Sequence, residues 1–424
     1  MIHWALSLSL SLLIIIICIN RKLNLGLTML LSGTILVVLV AKPALLPEAI
    51  YATVTNRSTQ ILFAGIVAIE ALGYLLKQTG SLQNMITVMG RLVKDIRLLT
   101  ATLPALIGIL TVPGGVVLSA PLVEQMGSQI GMPPERQAAA NMWFRHAFYF
   151  AYPLFPSIVL ASELAGINVI KITAYNLSLT VTGLLIAYLV IFRGLPGKAV
   201  NQEAAAGPVG MPKKFWRDLT ALGGSLAPLI TVLVLVIFFE ILFPLALAAG
   251  LIVALFNGIP WKKGFAGTLS HRFTKILIPG ITFKLALTVL GVMYFKQVLE
   301  FTGITVNLAE ALIEAGLPLL LLMFVFPALI GLLTGDNAAT VAIVFPLFLP
   351  LLATGTAFYP AQVAFLCFSS AWGHLFTPTH PCFTLNNAYY KVSVTQVLRN
   401  LLLPGAAVFI LGWLQIFLAR IIFL

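Results

Sequence analysis

The stretch PALIGILT at residues 104–111 returns as PALIGLLT at residues 327–334, seven of eight letters identical and 223 positions later. The copies part at once, into VPGGVVLS (112–119) in the first and GDNAATVAI (335–343) in the second. Each copy is apolar and is interrupted midway by glycine, proline or polar residues. Half a membrane needs only about 10 helical residues at ~1.5 Å rise. Residues 98–126 and 318–352 therefore read as two re-entrant helical hairpins, each entering and leaving the bilayer on one side.

The surrounding chain has the composition for it. Of 424 residues, 60% are hydrophobic and 9% charged, and the mean hydropathy is +1.04. A soluble domain of this length needs a charged surface that this chain cannot supply. Apolar windows near the ~20 residues of a transmembrane helix fall at 3–19, 24–46, 59–78, 137–165 and 170–192. A second set falls at 219–240, 243–259, 276–299, 359–388 and 401–422. At the N-terminus the charges follow the apolar run rather than precede it, so the first window reads as a span and not a signal peptide. Segments 81–97 and 304–315 are too polar to cross and carry apolar residues at helical spacing, which places them flat at the interface. Cys18, Cys367 and Cys382 show no CxxC spacing and form no framework.

Five spans plus one hairpin that does not cross make an odd number of crossings per half, which turns the second copy upside down. The expected fold is an all-α polytopic membrane protein with an inverted-topology repeat: about 10 transmembrane helices, two re-entrant hairpins and two broken helices. Repeat 1 is residues 1–193, a polar Gly/Ala/Pro-rich linker covers 194–216, and repeat 2 is 217–424. Further matches support the duplication. Thr79-Gly80 recurs as Thr302-Gly303, while Pro121, Pro153 and Pro156 recur 225 positions on as Pro346, Pro378 and Pro381.

The net charge of +12 could suggest nucleic acid, but the basic residues sit in short loops between spans. Eighteen Lys and Arg fall on the side of the linker and five on the other. The positive-inside rule then makes the linker side cytoplasmic, with both termini outside.

Polar groups at membrane depth persist only where they line a cavity or are buried in protein. Four breaks qualify. The first hairpin tip holds Thr111, Pro113, Gly114, Gly115 and Ser119, where the glycines bare backbone amides. The second holds Asp336, Asn337 and Thr340. Asp336 is the one aspartate inside a membrane segment, and reads equally as a cation or proton site and as the N-cap of the second hairpin arm. The third break, YPLFPS (152–157), carries Ser157 and follows Arg145 and His146. Arg145 suits an anionic substrate, with pairing to Glu163 or snorkelling as rivals. The fourth, FTPTHPCFTLNN (376–387), holds Thr377, Thr379, His380, Thr384, Asn386 and Asn387. His380 reads either as a proton carrier or as a packing histidine. The spacing of His374 and His380 does not put both rings on one helical face, and Pro378 intervenes, so no metal is expected beyond an alkali cation at Asp336.

This arrangement resembles the ion transporter superfamily, which includes gluconate, citrate and dicarboxylate permeases. Within it, the chain is most similar to the prokaryotic integral membrane family called domain of unknown function 401, with PALIGILTVPGG and PALIGLLTGDNAAT as the specific parts. The resemblance implies a homodimer in which a transport domain of hairpins and broken helices moves against a fixed scaffold. Sodium-coupled relatives carry Ser-Asn-Thr at their tips. Here the second tip has Asn337 and Thr340 without the serine, and the first has no asparagine, which argues against a two-sodium scheme.

The expected function is secondary transport of a small organic anion, with a carboxylate the leading candidate. Thr111, Gly114, Gly115, Ser119, Arg145, His146, Ser157, Thr377, His380, Thr384, Asn386 and Asn387 would meet the solute. Asp336, Asn337 and Thr340 would hold Na+ or H+. No cofactor, no nucleic acid and no enzymatic activity are expected, and lipid is the surrounding partner. The alternatives are a sodium/proton antiporter without organic solute, an intramembrane enzyme using His374, His380 and Asp336, and a receptor or scaffold.

Overall fold

The computed structural model describes residues 2–21, 23–40, 42–109, 115–197, 213–239, 241–257, 265–281, 284–377 and 380–423, and the regular elements among them are helices. In the first half, α1 (Ile2–Asn20), α2 (Leu25–Leu39), α3 (Leu46–Thr55), α4 (Arg57–Gln78) and α5 (Ser81–Leu92) precede a hairpin of α6 (Ile96–Ile109) and α7 (Gly115–Gln129). A broken helix follows, α8 (Pro134–His146) and α9 (Pro156–Ala165), and then α10 (Val169–Ile191). The second half runs α11 (Lys213–Ile237), α12 (Phe243–Phe256), α13 (Phe265–His271), α14 (Lys284–Thr302) and α15 (Ile304–Glu314). It continues with a hairpin of α16 (Leu319–Thr334) and α17 (Asn337–Phe348), a broken helix of α18 (Tyr359–Leu375) and α19 (Pro381–Tyr390), and α20 (Val394–Phe423).

The two halves keep register. α15 starts 223 residues after α5 (304 − 81), and α16 after α6 (319 − 96). Beyond the hairpin tips the offset is 225, for α18 against α8 (359 − 134), α19 against α9 (381 − 156) and α20 against α10 (394 − 169). Thr-Gly recurs because the turn from α4 into α5 and that from α14 into α15 each use a left-handed residue, Gly80 at φ 76° and Gly303 at φ 75°. Glycine adopts this conformation without the Cβ clash that penalises other residues. The halves also exchange partners: α2 packs on α14 and α12 on α4, while α17 packs on α9 and α7 on α19.

Helices α4, α10 and α20, together with Trp216–Ile237 of α11, are long and apolar enough to cross a membrane. Several expected spans differ. The window 24–46 is not one helix: α2 ends at Leu39, Pro43 opens a short 3-10 turn, and α3 begins at Leu46. At ~1.5 Å per residue, the 15 residues of α2 extend about 22 Å, short of a ~30 Å hydrocarbon core. The window 276–299 starts instead at Lys284, because residues up to Gly280 continue α13 through a π-helical turn, Arg272–Leu277. The windows 137–165 and 359–388 are broken at their prolines, and Pro156 and Pro381 open the following helices. Proline suits that first-turn position, where its missing N–H leaves no bond unmade.

Packing sorts the helices into two groups. Helices α1–α5 and α11–α15 pack chiefly on one another, as do α6–α10 with α16–α20. In the first group the backbones come close at small residues: a Cβ on Gly26 of α2 would lie 2.2 Å from the Leu287 carbonyl of α14. Ser11 and Ser32 share a hydroxyl bond of 2.6 Å between α1 and α2. Asn84 donates to Ser225 at 2.7 Å, and Arg91 pairs with Asp218 at 3.2 Å, tying α5 to α11.

Candidate functional site

In both halves the first hairpin arm presses on the broken helix through the glycine of PALIG. A Cβ on Gly108 would lie 2.1 Å from the Arg145 carbonyl oxygen of α8. A Cβ on Gly331 would lie 2.8 Å from the His374 amide nitrogen and 3.0 Å from the Ser370 carbonyl oxygen of α18. Small residues at such positions let helix backbones approach within contact. Each repeated glycine thus seats its hairpin against a broken helix at a residue of the polar centre.

The second hairpin turns at Gly335, left-handed at φ 62°, and Asp336 then caps α17 by accepting from the Ala339 amide at 2.9 Å. Thr340 donates to the Asp336 carbonyl at 2.8 Å. Thr334, Asn337 and Thr340 are buried, whereas Asp336 between them keeps exposed surface among packed protein atoms. Of the three ion pairs among the described residues, none includes Asp336. Asn337 donates to the Ser157 hydroxyl at 2.9 Å, which joins the second tip to the first break.

Behind that tip lies a buried cluster. His146 stands at the end of α8, His374 near the end of α18 and His380 at the N-cap of α19. None of the three is more than 5% exposed, and Arg145 is 6% exposed. The ring centroids of His374 and His380 are 4.1 Å apart. This corrects the sequence expectation, which took both the spacing and the intervening Pro378 to keep the rings apart: one helix ends at Leu375, the next begins at Pro381, and the chain folds the two rings together. His146 Nε2 and His380 Nε2 are 3.1 Å apart. His146 Nδ1 lies 2.6 Å from the Met142 carbonyl oxygen, which can only accept. Nδ1 therefore carries the proton and Nε2 points a lone pair at His380.

Tyr149 stacks on His374 at 5.4 Å and meets His146 edge-on at 4.9 Å. It lies within electrostatic reach of Arg145, Asp336 and Cys382, and Arg145 bonds the Cys382 thiol. Tyr149 and Cys382 were missed from the sequence as site residues. The 225-residue offset could have found both, since Tyr149 is the counterpart of His374 and Cys382 that of Ser157.

The other expected residues divide. Thr111 and Gly114 lie outside the described residues, and Gly115 begins α7. Ser119 is fully buried and donates to the Val116 carbonyl within its own helix. Thr377 donates to the Leu332 carbonyl at 2.6 Å. Thr384 is exposed. Asn386 is committed to packing: it donates to the Ala138 carbonyl at 2.9 Å and accepts from Asn141 at 2.7 Å. Asn387 is 7% exposed, and both amide atoms lack a partner.

A family model described as Protein of unknown function (DUF401) matches residues 5–419. No curated protein matches the chain. Among solved structures, the Alcanivorax borkumensis YdaH transporter aligns with a TM-score of 0.58 at 18% identity, covering 89% of this chain and 87% of that one. Neisseria gonorrhoeae MtrF, from a class of antimetabolite efflux pumps, aligns with a TM-score of 0.51 at 15% identity, covering 87% and 82%. At these identities the likeness is one of fold.

Proposed function

Since the chain belongs to the DUF401 protein family, and its fold is shared with solved membrane transporters, we propose that it is a secondary active transporter of a small organic anion, coupled to a cation or proton. One observation carries this reading. The break of the first half, with buried Arg145, meets the tip of the second, with Asp336, through the Asn337–Ser157 hydrogen bond of 2.9 Å. A buried guanidinium suits a carboxylate in geometry and charge, and an intramembrane carboxylate suits a coupling cation. The unpartnered amide of Asn387 offers a donor to the solute. The division into two packed groups supports elevator-type alternating access, in which helices α6–α10 and α16–α20 move as a body against the rest.

The test is uptake into proteoliposomes from a panel of carboxylates, with and without a sodium or proton gradient. The expected result is gradient-driven uptake of one solute that Asp336→Asn uncouples while the variant folds normally. Coupled uptake undiminished in Asp336→Asn would refute the assignment. Proton movement driven by sodium alone, with no anion required, would favour an antiporter.

A further inference from the structure

We propose that His146, His380 and Cys382 bind a late first-row transition-metal ion of the zinc class, a site that goes beyond the transport reading and does not depend on it. The two Nε2 atoms are 3.1 Å apart, and with the Cys382 Sγ all three ligand atoms lie within 4.8 Å of one another. A tetrahedral ion bonded to nitrogen at about 2.0–2.1 Å and to sulfur at about 2.3 Å holds such atoms roughly 3.3–3.6 Å apart. The imidazole pair already stands close to that spacing, and the thiol reaches it by a movement of about 1 Å.

Two features favour a metal over a plain packed core. His146 bonds the Met142 carbonyl through Nδ1, the outer contact that orients a metal-bound histidine and directs its Nε2 lone pair inward. The charge also balances. A thiolate at Cys382 would sit against Arg145, so the ligand most in need of deprotonation has a cation to stabilise it. On binding, Cys382 gives its proton to solvent and the sulfur lone pair goes to the metal. The imidazole and thiolate donors select borderline and soft ions and exclude sodium, magnesium and calcium, which take oxygen ligands.

The experiment uses the purified full-length protein in detergent, stripped with chelator and titrated with Co²⁺ in the absence of any solute or gradient. The expected result is one Co²⁺ per chain, with the visible bands of a tetrahedral ion and a near-ultraviolet sulfur-to-cobalt band, both displaced by Zn²⁺. Cys382→Ser should lose the sulfur band and keep weakened binding, His380→Ala should bind at least tenfold more weakly, and His271→Ala, outside the cluster, should match the parent. Thermal midpoints of the metal-free variants show whether they are folded. Folded protein without these bands, or bands that persist in the Cys382→Ser/His380→Ala double variant, would overturn the proposal. Neither outcome bears on uptake, so the site and the transport reading fail separately.

Discussion

Gly108→Ala tests whether the repeated motif exists to seat the hairpin. The new Cβ would stand 2.1 Å from the Arg145 carbonyl oxygen, a backbone atom that cannot rotate aside. Real Cβ contacts do not fall below 3.0 Å, so α6 and α8 must part by at least 0.9 Å (3.0 − 2.1). Overpacking of this kind costs about 1–3 kcal/mol. Alanine also gains about 1 kcal/mol over glycine in a helix interior, so the matched control is Gly90→Ala in α5, where a Cβ meets nothing within 4 Å. Both variants share the helix gain, and their difference isolates the clash at about 1–3 kcal/mol. Midpoints of thermal unfolding in detergent shift by roughly 2–4 °C per kcal/mol in domains of 150–250 residues. Gly108→Ala should therefore melt several degrees below Gly90→Ala. It should also bind solute more weakly, because Arg145 moves with its backbone. Equal midpoints for the two variants would refute the tight seating of α6 on α8.

Asn387→Leu should leave the thermal midpoint unchanged or raised, since neither amide atom has a partner to lose, while solute affinity falls about tenfold; a large loss of stability would instead mark a structural role. Arg97 beside Asp95 holds that carboxyl below its ordinary range. A depressed pKa gives stability that is present above about pH 4, the unfolded value, and lost as pH falls through the folded one. Asp95→Asn should flatten that acid limb slightly in melts from pH 7 to 3, and an unchanged limb contradicts the pairing. Disulfide or short reagent bridges between Ile66→Cys and Leu160→Cys, which line one cleft from α4 and α9, should stop uptake. A bridge between Ser178→Cys and Gln415→Cys, inside one group, should not, and uptake through the first bridge would exclude relative motion of the groups.

Much of the architecture was legible because it is written in periodicity and repetition. The hairpins, the short helices ahead of them and the breaks that precede Pro156 and Pro381 follow from where apolar runs are interrupted, and Thr-Gly marks a turn that needs a left-handed residue. Two things were hidden for physical reasons. Neither spacing nor the intervening proline says how a chain turns after a break, and the fold of α18 against α19 is what brings His374 to His380. Contacts between halves, such as Asn141 with Asn386, depend on how the repeats dock, which no local pattern encodes. Tyr149 and Cys382 lie between these cases: neither is conspicuous among aromatic and apolar neighbours, yet each occupies the position of a chosen residue in the other repeat.

The exchange of partners between halves explains why the tips diverge while PALIG does not. The contact of α9 with α17 brings the first break to the second tip, and the contact of α19 with α7 brings the second break to the first tip. Identical tips would give two equivalent junctions, with like charges facing one another across a pseudo-twofold axis. Instead one junction joins Ser157 to Asn337 beside the exposed Asp336. The other is closed by Tyr390 on the Ala120 carbonyl at 2.8 Å and by Tyr389 on Glu124 at 2.5 Å. The buried cation is supplied by the first half and the carboxylate by the second, so neither copy contains the site alone. The packing surfaces stay alike because both arms must meet a broken helix at a glycine. The tips are free to differ because only their pairing across the halves has to be complementary.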